Sequence, residues 1–474
     1  MSAKTIQKSR RHASRRSSIE VSQGNIRSYG LQQSVLSSVE TLAQSVAGMA
    51  PSAGPAMTIA VVFAVAGNGG WLAYVIATVC MILTAVNINV FASRSSTPGS
   101  LYSYATNAGG KHVGFLVGWA MLLAYTLCIA ACPMQFAIFA NESLKQIGIT
   151  QLPTWFLTIS CVALAALVAY KNIQLSAKMM LWLELLSIAV ITILCSAVLL
   201  HQHFRWDAAQ LHLSGMNAEN LRLGLILAIF GFVGFESATT LGSEASAPLQ
   251  NIPRALIHST ILSGLFFVFT TYAIVYGFAI NGQPLDKCTT PLLALANDLK
   301  MPVLGQLTNI GAAISFFAAS LAGLNAGARI LMTMSHDEHF PRMFKKTHSQ
   351  NFTPHYAIIS IAAVGAVIGA AFFLSQCSVL DVIGWLGTLA TFGFLVAYGT
   401  ISVTVPIYLK SRNELTASAL SVSLITTVIL ATVFFGTMYP APEGIYRWLP
   451  YLFLGYLTVG AIVVWRQQKL TISH

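Results

Sequence analysis

The chain has 474 residues, 55% of them hydrophobic and only 9% charged, whereas a soluble domain carries charge on about a quarter of its residues. That balance excludes a soluble globular protein and places the bulk of the chain in lipid. The net charge of +11 reads as a topology signal rather than a nucleic-acid footprint. With an even number of spans, every Lys and Arg except Lys145, Arg205, Arg222, Lys287, Lys300 and Arg447 falls on one side, which the positive-inside rule puts in the cytoplasm together with both termini.

The first 35 residues are polar, Ser-rich and basic (Lys4, Lys8, Arg10, Arg11, Arg15, Arg16, Arg27) and lack the apolar core of a secretory signal. Residues 1–35 are expected to be a cytoplasmic tail. An organelle transit peptide, with no acid before Glu20, and contact with anionic lipid are the alternatives. Apolar runs long enough to cross hydrocarbon then recur about twelve times, roughly at 41–66, 70–93, 113–140, 153–171, 178–200, 221–243, 256–280, 303–334, 355–374, 379–409, 417–438 and 448–465. Residues 36–474 are therefore read as one twelve-helix, all-α polytopic membrane domain.

Span one is broken. Val46 to Ala56 reads VAGMAPSAGPA, where Pro51 and Pro55 each remove an amide donor and crowd the preceding turn. A kinked helix packed through small residues is one reading. The other is an unwound stretch, Ala47, Gly48, Met49, Ala50 and Pro51, whose freed amides and carbonyls bind a substrate. In span three Cys128 and Cys132 share a helix face, but no His accompanies them, and no metal or cofactor is expected.

Span five carries Glu184 between Leu183 and Leu185. An ionised carboxylate is costly at that depth unless paired, which suits either a group that takes up and releases a proton or a structural hydrogen bond. Span six is broken like span one: Phe230, Gly231, Phe232, Val233, Gly234 and Phe235 alternate rings and glycines, then Glu236 follows. Phe230, Gly231, Phe232 and Gly234 are expected to line the substrate site. Glu236 is expected to cap the outgoing half-helix, with proton carriage as its second reading. Ser315 and Ser320 in span eight are weak candidates for a sodium site, and Asp381 for a cap opening span ten. At the end of span eight, Arg329, His336, Asp337 and Arg342 form a mixed-charge cluster expected to latch with Glu244 as a cytoplasmic gate, an interfacial anchor being the alternative.

Matched breaks in spans one and six predict a five-plus-five inverted repeat, about 36–201 and 221–410, with helices eleven and twelve (about 417–466) appended. The string GFESATTLGSEASAPLQNIPRA (Gly234 to Ala255), Pro98-Gly99-Ser100 with Tyr102 and Tyr104, His112-Val113-Gly114-Phe115 leading to Gly118-Trp119, and GARILMTMSHDEHFPRMF (Gly327 to Phe344) together resemble the amino acid–polyamine–organocation (APC) transporter superfamily. The resemblance implies a LeuT-type fold moving an amino acid or amine by alternating access.

By that resemblance, Gly48, Met49 and Ala50 match a Gly-Ser-Gly turn that holds the substrate carboxylate, and Phe230, Gly231 and Phe232 match the segment meeting the α-amino group. The chain departs at Met49, Ala50 and Ser243. It also has Ala124 before Tyr125, where relatives with cationic substrates carry an acid, and Ser187 near the place of a Lys found in some proton-coupled relatives. At the latch, His336 and Glu338 stand for Arg and Gly.

The expected function is a secondary transporter, not an enzyme, in the cell (inner or plasma) membrane. It would move a neutral amino acid by proton symport or exchange, with sodium as the other coupling ion. A polyamine transporter or an amino-acid antiporter of the same fold is the alternative. A membrane-embedded enzyme or receptor is the contrasting class, but no His-Glu-x-x-His pair or clustered intramembrane histidines are present.

Overall fold

A computed structural model describes residues 29–201, 205–374, 377–439 and 444–472. The basic tail up to residue 28 lies outside the described residues. Helix α1 (Ser38–Met49) starts at a reciprocal cap: the Glu40 amide donates to the Ser37 hydroxyl at 3.3 Å, and the Ser37 amide donates to the Glu40 carboxylate at 2.8 Å. It stops at Ala50, which adopts the left-handed conformation (φ 48°, ψ 63°). A π turn over Gly54–Thr58 restarts the span as α2 (Ile59–Ala66), and a tight turn at Gly67–Gly69 leads into α3 (Gly70–Ala92).

The following helices are α4 (Ser100–Gln146), α5 (Thr154–Lys171), α6 (Ile173–His201) and α7 (Ala218–Phe230). After α7 the chain passes Gly234 (φ 93°) into a 3-10 stretch, Phe235–Leu241, and then α8 (Pro248–Asn281). Next come α9 (Pro302–His336), α10 (His355–Leu374), α11 (Val379–Ser411), α12 (Ala417–Gly436) and α13 (Leu449–Ile472).

Eleven helical stretches among the described residues are long and apolar enough to span a membrane, against the twelve expected. The difference lies at the start: Ser38–Ala92 counts once, although it is 55 residues long and contains the turn where the expected first and second spans meet. Segments expected as loops also hold helix. Residues 100–109 form a leg of α4 set off by Gly110 (φ 86°, ψ 174°), and Pro291–Asp298 is a two-turn helix.

Helix α9 runs through the centre, its most apolar stretch 83% buried, while α12 is 22% buried and sits at the periphery. The outward faces are apolar: Trp182 is 70% exposed and Val367 68%. A surface of that kind is stable only against lipid, so the apolar runs fix both where the helices form and what surrounds them.

Candidate functional site

The two broken spans meet backbone to backbone. A Cβ on Gly48 would lie 2.4 Å from the Gly234 carbonyl oxygen, and one on Gly234 would lie 2.5 Å from the Gly48 carbonyl oxygen. Hydroxyls also tie the two segments together: Ser45 donates to the Phe235 carbonyl, and Ser237 donates to the Gln44 carbonyl at 2.9 Å. Gly48 and Gly234 thus serve first to let two irregular backbones touch. Phe232 is buried edge-on against Phe267 at 5.1 Å, so it packs rather than faces a ligand. Ala47, Met49, Ala50 and Pro51 are buried beside the contact, whereas Gly48, Phe230 and Gly231 keep partial exposure.

Ala50 carries a Cβ into a conformation that costs L-residues about 1–2 kcal/mol. Ala50→Gly is therefore expected to raise stability by about 1 kcal/mol, read as a higher thermal midpoint in detergent. An unchanged or lower midpoint would mean that Ala50 is not strained.

Glu236 differs from its expected role as a cap. Its two carboxylate oxygens are held by tyrosines from separate helices: Tyr125 of α4 donates to Oε1 at 2.6 Å, and Tyr398 of α11 donates to Oε2. The Tyr398 hydroxyl in turn accepts the Gly234 amide at 3.1 Å, so the span-six break, Tyr398 and Glu236 form one relay. Tyr398 carries no local sequence signal, and only its lone hydroxyl in an apolar run hints at a buried partner. Thr239 ties the same 3-10 stretch to Ser100, the first residue of α4.

Glu184 sits in an oxygen cluster. Its Oε1 accepts from Ser315 at 3.0 Å and from Ser52 at 3.3 Å, and Ser187 donates to Ser52 at 2.7 Å. Its Oε2 is buried with no hydrogen-bond partner among the described residues. Ser52 belongs to the span-one break, so Glu184 reads the conformation of that break directly. Of the two serines considered for sodium, Ser315 joins this cluster and Ser320 does not: its hydroxyl donates to Phe316 of its own helix at 2.9 Å. One carboxylate and three hydroxyls suit a proton or a small hard cation. Among the described residues no group of three or more His, Cys, Asp and Glu could hold a metal ion.

The expected latch divides in two. Arg329 and Glu244 form a fully buried bidentate pair, both nitrogen–oxygen distances 2.6 Å, and Arg329 Nη1 also donates to the Asn325 carbonyl at 2.8 Å. Asp337 instead accepts from the Tyr102 hydroxyl at 2.7 Å, and Arg342 lies exposed, 3.9 Å from Glu338. A strap of chain that crosses the expected boundary between tail and domain completes this end. The Val35 and Leu36 amides donate to the Glu244 carbonyl at 2.8 and 2.9 Å, and the Ser246 amide donates to the Leu36 carbonyl at 2.8 Å. Leu36 is buried, and Gln174 donates to the Val35 carbonyl at 2.8 Å.

Residues 41–451 match the sequence model of the family described as "Amino acid permease". The chain belongs to the amino acid permease family. Within the APC superfamily it is similar to the branched-chain amino acid permease BcaP of Bacillus subtilis, 24% identical over 74% of this chain and 76% of the relative. It is also similar to the low-affinity putrescine importer PlaP of Escherichia coli K12, 24% identical over 70% and 72%. The methylthioribose transporter of Bacillus subtilis is 23% identical over 84% and 85%.

Among solved structures, that of MhsT in complex with L-phenylalanine superposes with a TM-score of 0.63. It covers 85% of this chain and 99% of MhsT at 13% identity, a likeness of fold. The permease is therefore a multi-pass membrane transporter of LeuT-type fold, and not an enzyme.

Proposed function

We propose that this permease carries a neutral amino acid by alternating access, with the substrate bound where the breaks of spans one and six meet and a proton carried by Glu184. The observation that carries the reading is the state of the buried acids. Glu236 has both oxygens engaged by tyrosines, and Glu244 has both engaged by Arg329. Among these buried acids only Glu184 keeps an oxygen without a partner among the described residues, and it is assigned to the proton, so a cationic side chain would stay unpaired at a cost of several kcal/mol. The accessible wall of Phe230 and Gly231 is apolar, which suits an aliphatic or aromatic side chain. Similarity to BcaP supports the same substrate class.

The buried Arg329–Glu244 pair and the strap over it support a state closed at the basic end. We read that end as cytoplasmic because Arg254, Arg342, Lys345 and Lys346 gather there. Opening would separate Ser52 from Glu184, linking proton release to substrate release.

The test is uptake into proteoliposomes of labelled leucine, phenylalanine, lysine and putrescine, with and without pH and sodium gradients. Accumulation of a neutral amino acid driven by an inward proton gradient is expected. Putrescine or lysine as the preferred solute would overturn the substrate reading, and dependence on sodium alone would overturn the coupling. Glu184→Gln is expected to abolish gradient-driven accumulation while keeping solute exchange. Undiminished accumulation would remove Glu184 from the coupling.

A further inference from the structure

A cavity of about 570 Å³ opens at the basic end, between the loop after α9 and the start of α10. Lys345, Lys346, Thr347, His348, Ser349 and His355 line it, and among the described residues no Asp or Glu does. The Lys345 ammonium is bonded to Glu338, whose carboxyl it holds below the ordinary range, so that charge is already answered. Lys346 is exposed and makes no ion pair among the described residues. The His348 Nδ1 accepts the Gln350 and Asn351 amides at 3.3 and 3.2 Å, which places its proton on Nε2 as a free donor. The His355 ring stands edge-on to His348 at 5.5 Å, with its Nδ1 buried and unpartnered among the described residues. Donors and positive charge thus converge on a space that, among the described residues, no carboxylate lines.

We propose that this cavity binds the phosphate group of an anionic phospholipid, with Lys346 as its cation and the His348 and Ser349 side chains as hydrogen-bond donors. A phosphodiester supplies the negative charge the lining lacks, together with oxygens to accept from its donors. The choice of a lipid over free phosphate follows from the outer face of α10, which leads away from the cavity through Tyr356, Ile359, Ala363 and Val367, all exposed. A headgroup in the cavity would place its acyl chains along that apolar stripe, within the bilayer that surrounds it, so a lipid can reach the cavity from the membrane. Tyr29 and Gly30 also line the cavity, where Gly30 (φ 68°) lets the chain pass Thr347: a Cβ there would lie 2.4 Å from the Thr347 hydroxyl. The ligand would therefore also hold the start of the strap. The proposal does not depend on the transport reading.

Thermal unfolding of the purified full-length chain in neutral detergent tests it, titrated separately with phosphatidylglycerol, phosphatidylcholine and inorganic phosphate. Phosphatidylglycerol is expected to raise the midpoint saturably, and phosphatidylcholine is expected to leave it unchanged. Lys346→Gln should weaken the phosphatidylglycerol response by about tenfold in concentration, with the lipid-free midpoint unaltered. Lys346→Arg should keep the response, and so should Lys410→Gln, a control at an exposed lysine outside the cavity. Equal responses of Lys346→Gln and the unaltered chain, or an equal response to phosphatidylcholine, would overturn the site. A response to inorganic phosphate matching that to phosphatidylglycerol would overturn the lipid as its occupant.

Discussion

Replacing Arg329 with alanine is expected to destabilise the permease by about 3–5 kcal/mol, the range for removing one partner of a buried ion pair. The cost comes less from the lost attraction than from what is left behind. Glu244 has no exposed side-chain surface, and both of its oxygens accept from Arg329, so the truncation strands a carboxylate in the protein interior. The Asn325 carbonyl loses its charged donor as well. Thermal unfolding in detergent reads the effect, and a midpoint within about 1 kcal/mol of the unaltered chain would show that the pair is not buried as described. Changing both residues to apolar ones of similar volume, Arg329→Met with Glu244→Leu, is expected to recover most of the loss, because no charge then remains to desolvate. That double variant separates the function of the pair from its stability: a folded protein with altered transport would place the pair in gating.

Gly48→Ala is expected to cost about 1–3 kcal/mol and to abolish uptake. The added methyl would meet the Gly234 carbonyl oxygen at 2.4 Å, the Ser237 hydroxyl at 2.6 Å and the Gly234 carbonyl carbon at 3.2 Å. Two of these are backbone atoms that cannot swing aside, so the breaks of spans one and six must part. Parting them disturbs the Gly234 amide, hence Tyr398, hence Glu236. Gly455→Ala, in α13 and outside the site, is the control, since its methyl would meet no atom within 4 Å. Uptake by Gly48→Ala equal to that of Gly455→Ala would show that the close approach is not required.

The spans and both breaks were legible because each rests on residues adjacent in sequence: long apolar runs, and Gly and Pro where a lipid-facing helix tolerates neither without protein around it. Buried acids were equally visible, since Glu184 and Glu236 stand out in apolar surroundings. Their partners were not. Local reasoning puts an acid at the start of a half-helix into a capping role, and nothing near Glu236 in sequence announces hydroxyls arriving from Tyr125 and Tyr398. The pairing of Ser315 with Ser320 fails for a reason that spacing contains: five residues on a helix turn through about 140°, so the two hydroxyls leave by different faces. Asp337 went to Tyr102 because a turn following α9 carries it away from Arg329. The strap at Val35 and Leu36 makes main-chain bonds, which leave no mark in side-chain pattern.

That strap also bears on the order in which the molecule is made. Residues 34–36 leave the ribosome ahead of span one, yet the carbonyls of Ser243 and Glu244 and the amide of Ser246 that pair with them follow more than two hundred positions later. Throughout that interval the leading strand has no mate, while spans one to five have already been threaded into the bilayer. Closure at this end is thus a late, long-range event in biogenesis, entropically costly to reach and dependent on the second half of the chain arriving intact. A nascent chain halted before span six would hold the first five spans with their basic end still unfastened.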